Sequence, residues 1–192
     1  MKPIKTILAA VGAVTLIAVA LFLITYGGKL GKFDSGALDA YASMAKKILQ
    51  TGDPAKGMML KKKMIIPEGM SKQEAIENAI EVMDEVASEH GLAVVDHKVM
   101  PRKNGVYTQI RSYCSPTIAD YFLNHSREFI GFMPCRIGII EEPNGDIYLY
   151  TMNLDLAIHG GTKLSPKLLS LAQEVEKAMY GMLEAGAKGE EE

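Results

Sequence analysis

The chain has 192 residues, 48% of them apolar, a formal net charge of −2 and two cysteines. Without a basic excess to neutralise phosphates, general nucleic-acid binding is excluded. About 165 residues follow the first apolar run, enough for one domain with its own core.

That first run, Ile7 to Tyr26, carries no charge. Twenty helical residues span about 30 Å, the thickness of a bilayer's hydrocarbon core. A cleaved signal peptide is the rival reading, with Lys2 and Lys5 ahead of the run and Ala18-Val19-Ala20 as a small-x-small site. Leu21 to Tyr26 extends the apolar run past that site, which favours a retained anchor. Lys29 and Lys32 nearly balance the amino-terminal lysines. The short basic start then favours a single-pass inner-membrane protein, with the carboxy-terminal domain on the periplasmic or extracellular side.

Gly27 to Lys32 reads as a flexible exit, and Gly36 to Gln50 as an amphipathic juxtamembrane helix. Its apolar face holds Leu38, Tyr41, Ala45, Ile48 and Leu49. The polar face has no strong basic excess, so packing on the domain is expected rather than a place at the bilayer surface. The expected divisions are an anchor at 1–26, a linker and helix at 27–56, an α+β domain at 57–186 and an acidic tail at 187–192.

Within the domain, Met58 to Ile66 suits a strand interrupted by Lys61-Lys62-Lys63, which reads as a solvated face. Ser71 and Glu74 form a capping box for a helix that Gly91 closes. Leu92 to Met100 and Tyr107 to Cys114 read as strands two and three. Ser115-Pro116 opens a helix of about fifteen residues to Ile130. Cys135 to Glu142 and Asp146 to Met152 flank Pro143-Asn144-Gly145-Asp146, a hairpin signal. Ser165-Pro166 opens the last helix. The order predicts an α+β fold with a single mixed β-sheet covered by helices, preceded by one transmembrane helix and the amphipathic helix.

The blocks YCSPTIADYFL and FMPCRIGIIEEPNGDIYLYTMN, within Tyr113 to Leu154, carry a resemblance. They are similar to the bacterial and archaeal domain of unknown function 302 family, which has a Cys-(Asn)-Pro element and a Leu-Pro-Cys-Arg element. Here these read Cys114-Ser115-Pro116, with Ser in place of Asn, and Met133-Pro134-Cys135-Arg136. The resemblance extends from about Met58 to Asp155 and leaves out the last helix. It implies a small α+β fold and supplies no reaction.

Chemistry-bearing residues are few. Cys114 and Cys135 fall on apolar strand faces and suit the core. A fifteen-residue helix would return the chain about 22 Å, making strand four parallel to strand three. The cysteines would then sit at opposite sheet ends, beyond the roughly 7 Å limit for a disulfide. Arg136 could hold an anion or a carboxylate. Asn153, Asp155 and His159 cluster before Gly160-Gly161, where an Asp orienting a His is the grammar of acid–base sites and Asx turns are the structural alternative. No haem or zinc spacing is present, and most of the twelve methionines fit apolar faces.

The expected function is therefore a membrane-anchored accessory or ligand-binding module without an assembled catalytic set. The competing reading is an envelope redox or soft-metal-binding protein using Cys114, Cys135, His159 and Met side chains. The pattern identifies no cofactor. Expected partners are the lipid bilayer through residues 7–26, and a membrane protein or a second copy.

Overall fold

The computed structural model describes residues 2–102 and 105–190. The last two residues of the acidic tail and the centre of the Pro101–Gly105 loop lie outside the described residues. Helix α1 (Lys2–Leu30) contains a 27-residue stretch, Ile4–Leu30, long and apolar enough to cross a membrane, and none of it is buried in the rest of the protein. The helix does not end at Tyr26. It runs through Gly27 and Gly28 to Leu30, and the amides of Gly31, Lys32 and Phe33 bond back to the carbonyls of Gly27, Lys29 and Leu30. The expected flexible exit is thus a helix end.

Helix α2 (Ala37–Thr51) closes on Gly52 in the left-handed conformation, the usual role of a glycine just past a helix. Asp53 then caps a short helix, α3 (Pro54–Met58); its Oδ1 accepts from the Ala55 amide at 2.9 Å. The buried face of α2 is not the expected one. Ala37 and Ala40 are buried and Ile48 packs on Gly57, while Leu38 and Leu49 are exposed.

The domain proper has strands β1 (Met59–Lys63), β2 (Ala93–Val99), β3 (Thr108–Cys114), β4 (Cys135–Glu141) and β5 (Ile147–Met152). They form one five-stranded sheet in the order β1-β5-β4-β3-β2. Every pairing is antiparallel, so the α+β class holds and the mixed sheet does not. The reason lies after β3. Helix α5 (Pro116–His125) has ten residues rather than fifteen, and a 3₁₀ helix, Arg127–Phe132, folds the chain back on it. β4 therefore starts where β3 ends, with Cys135 opposite Tyr113.

Helices α4 (Lys72–Glu89) and α7 (Pro166–Lys188) cover one sheet face, and a short α6 (Asp155–His159) joins β5 to α7. The capping box of α4 forms as expected, Ser71 Oγ accepting from Glu74 N and Glu74 Oε2 from Ser71 N. The hairpin turns at Gly145, φ 85°, where positive φ suits glycine. Met83, Ile137, Ile139 and Leu149 are wholly buried between the layers, each contributing about 1.5–3 kcal/mol. Gly186 permits that approach, because a Cβ there would meet Met83 Cγ at 2.7 Å.

Strand alternation puts Lys61 and Lys63 on the other face, with Tyr148 and Tyr150. Lys61 Nζ stands 3.7 Å over the Tyr148 ring, Lys62 pairs with Glu184 at 2.5 Å and Lys63 with Asp146 at 2.8 Å. The lysine run is a set of half-exposed ion pairs around a strand.

Candidate functional site

Folding α5 and the 3₁₀ helix back over the sheet end leaves an apolar cavity. Its volume is about 90 Å³, opening into about 660 Å³ of empty space once the mouth is included. Cys114, Tyr113 and Cys135 line it from the sheet, Phe122 and Phe129 from the returning helices, and Ala157 from α6. The Phe122 and Phe129 rings meet tilted, centroids 5.1 Å apart, and Phe129 meets Phe132 at 5.9 Å. Phe132 lines the mouth and is 41% exposed. No charged side chain is among the described residues that line the cavity.

The two cysteines thus share a cavity wall rather than opposite sheet ends. Both are free and half-buried. Burial pushes the Cys114 thiol above its usual range, and burial, with Cys114 beside it, pushes Cys135 up to about 11. Both are neutral thiols at pH 7, not thiolate nucleophiles. They offer soft, polarizable, weakly donating surfaces inside an apolar wall.

Tyr113 is held by a group the sequence did not single out. Asp84 on α4 accepts from Arg111 Nε at 2.7 Å, from Arg111 Nη2 and from Tyr113 OH at 3.0 Å. The hydrogen bond to Asp84 raises the Arg111 pKa, and burial first, then the Asp84 charge, raises that of Tyr113. The arrangement fixes the tyrosine ring with its hydroxyl turned into the α4 interface. Arg111 and Asp84 carry no motif, so only the register of β3 under α4 could have found them.

The remaining candidates do not join the cavity. Arg136 is exposed, and its Nε donates to Pro134 O at 3.3 Å. Asp155 does not orient His159. Asn153 Oδ1 accepts from the Asp155 amide at 3.0 Å and from Tyr180 OH at 2.9 Å, and Asn153 Nδ2 donates to Asp155 Oδ2 at 2.9 Å. This is an Asx turn opening α6, tied to α7. Burial, then the Asp155 charge, raises the pKa of nearby Glu176, and burial raises that of Tyr180 to about 12.

His159 pairs instead with the segment between α1 and α2, its Nδ1 3.0 Å from Asp34 Oδ1. Asp34 N donates to Gly161 O at 2.9 Å, Lys163 N to Lys32 O at 3.1 Å, and Tyr41 OH to Gly160 O at 2.9 Å. The backbone around the paired glycines is thus strapped to the segment between α1 and α2. The Gly36 amide, donating to Asp34 Oδ1 at 2.8 Å, is the main reason the Asp34 pKa is lowered; His159 lowers it further. Among the described residues, no group of three His, Cys, Asp or Glu side chains is placed to hold a metal ion.

Strands β2 to β5 and all the cavity residues fall within residues 68–186, which match the model of a domain of unknown function, DUF302. The chain belongs to the DUF302 family. The match begins after β1 and continues through most of α7, so the last helix is part of the family domain, beyond the Met58 to Asp155 stretch that carried the resemblance. A crystal structure of an uncharacterized conserved DUF302 protein from Bacillus stearothermophilus is similar, at 16% identity and a TM-score of 0.49, covering 68% of this chain and 98% of that one. No curated protein matches the chain.

Proposed function

We propose that this DUF302 chain is a membrane-tethered binding module for a small uncharged apolar ligand, held in the cavity between β3, β4, α5 and α7. In this reading α1 is the span, with residues 7–26 inside the bilayer. One observation carries the ligand class: a formed cavity at the sheet end whose described lining is uncharged and whose mouth stays open. An apolar wall recognises shape and gains from excluding water. The thiols of Cys114 and Cys135 and the hydroxyl of Ser115, which also lines the cavity, are its few polar points. The soft-metal reading retains both thiols in the cavity wall, whereas His159 is not among the described residues lining it and keeps Nε2 free while Nδ1 meets Asp34.

Full-length protein in lipid nanodiscs, titrated with a neutral naphthylamine dye, tests this reading. Saturable fluorescence enhancement is expected in the wild type. Ala157→Phe, which fills the cavity from α6, should weaken binding at least about ten-fold, equivalent to about 1.4 kcal/mol, with the melting temperature retained. Equal saturable binding to both proteins, or none to either, would overturn it.

A further inference from the structure

Helix α2 leaves an apolar stripe to solvent. Leu38, Tyr41, Ala42, Ala45 and Leu49 recur at helical spacing, and all are exposed, Leu38 at 78% and Leu49 at 85%. The opposite side of the helix is already occupied. Ala37 and Ala40 are buried, Ile48 meets Gly57, and Tyr41 OH bonds to Gly160 O. Apart from the Tyr41 hydroxyl, the stripe is left exposed in the described fold.

We propose that this stripe is a bilayer-surface contact, with α2 lying in the headgroup region of the leaflet from which α1 emerges. This rests on the reading of α1 as a span. Three observations favour lipid over another occupant. First, α2 begins seven residues after α1 ends, a reach of at most about 24 Å, and the strap takes up that chain. Second, residues 29–56 carry five lysines against three aspartates, while residues 57–192 carry 14 basic and 20 acidic side chains. Anionic headgroups therefore attract this segment and repel the remainder of the domain. Third, five side chains, two of them alanines, cover far less than the roughly 800 Å² per partner of a stable protein interface. A shallow insertion of about 5–10 Å needs no more than such a stripe.

The chain has no tryptophan, so single Trp variants report one position each. Leu49→Trp, Phe22→Trp and Val95→Trp are each placed in full-length protein reconstituted in phosphatidylcholine vesicles with a minor fraction of phosphatidylglycerol. Bromines on the upper acyl chain and aqueous iodide serve as the two quenchers. Leu49→Trp should lose about half its emission to brominated lipid and be shielded from iodide, as expected for an interfacial side chain. Val95→Trp, on exposed β2, should show the reverse. Iodide access to Leu49→Trp equal to that of Val95→Trp, with Phe22→Trp quenched by lipid, would overturn the contact and leave the span standing. Shielding of Leu49→Trp from both quenchers would assign the stripe to a protein and overturn it equally. A Phe22→Trp untouched by lipid bromines would overturn the span itself, and the surface contact with it.

Discussion

The cavity at the Cys114–Cys135 end and the strap at Asp34–His159 differ in what their residues suggest in isolation. The cavity is walled by side chains that read as ordinary core: phenylalanines, alanines, two cysteines and a buried tyrosine. The strap uses the residues with the richest chemical vocabulary, an Asp, a His and paired glycines, to fasten one piece of backbone to another. Polar clusters next to glycines serve chain closure as readily as catalysis. An apolar wall becomes a site only when the fold leaves it incompletely filled.

Substitutions at the two ends should separate these roles. The largest effect is expected for Phe122→Ala. The residue is 6% exposed and its ring packs tilted against Phe129, so truncation should cost about 3–5 kcal/mol, read from urea unfolding of the full chain in detergent. Dye binding should be lost along with stability. A cost under about 1 kcal/mol would mean that α5 is not part of the folded wall.

Asp84→Ala comes next. It strands the Arg111 guanidinium, which is 13% exposed in its side chain, and the Tyr113 hydroxyl. Loss of a partly buried, bidentate partner should cost about 2–3 kcal/mol. Dye affinity should fall because the Tyr113 ring loses its anchor. Unchanged dye affinity at reduced stability would show that Asp84 supports the sheet alone.

The smallest effect belongs to the strap. Asp34→Asn should leave the unfolding midpoint and dye binding unaltered and increase trypsin cleavage after Lys32 by about two- to five-fold, through local opening alone. The pH dependence follows from the lowered Asp34 pKa. A carboxylate held below its ordinary value of about 3.9 favours the closed strap above that pH and loses this contribution as pH falls through the folded-state value. Cleavage by an acid protease near Phe33 should therefore accelerate below about pH 4 in the wild type and less so in Asp34→Asn. Loss of dye binding in Asp34→Asn would erase the distinction between the two ends.

Local signals anticipated much of the architecture. The capping box at Ser71 and Glu74, the Asn144-Gly145 hairpin, the Ser165-Pro166 helix start and the left-handed Gly52 all occur where short-range chemistry put them. Strand direction was lost because it hung on the length of α5. The apolar pattern continues through Ile130, but the helix stops at His125, and Ser126 Oγ bonds to Glu128 as the chain turns. Five residues of helix decided whether Cys114 and Cys135 were expected far apart or in one wall. Periodicity also placed Leu38 and Leu49 on the buried face of α2, because the face that is in fact buried begins with the small Ala37 and Ala40 and shares Ile48 with the expected one. Small residues that let helices approach closely carry a weak hydropathy signal.

The unbroken passage from α1 into the strap has a mechanical consequence. A glycine-rich leash of six residues would let the domain swing through a wide cone, its end-to-end distance fluctuating over about 12–15 Å. Here Gly27 and Gly28 remain helical, and every amide from Gly31 to Asp34 has a backbone partner. The domain is mounted as on a bracket. A rotation of α1 would reach α6 through these bonds before any other element, and α6 supplies Ala157 and Ile158 to the cavity wall.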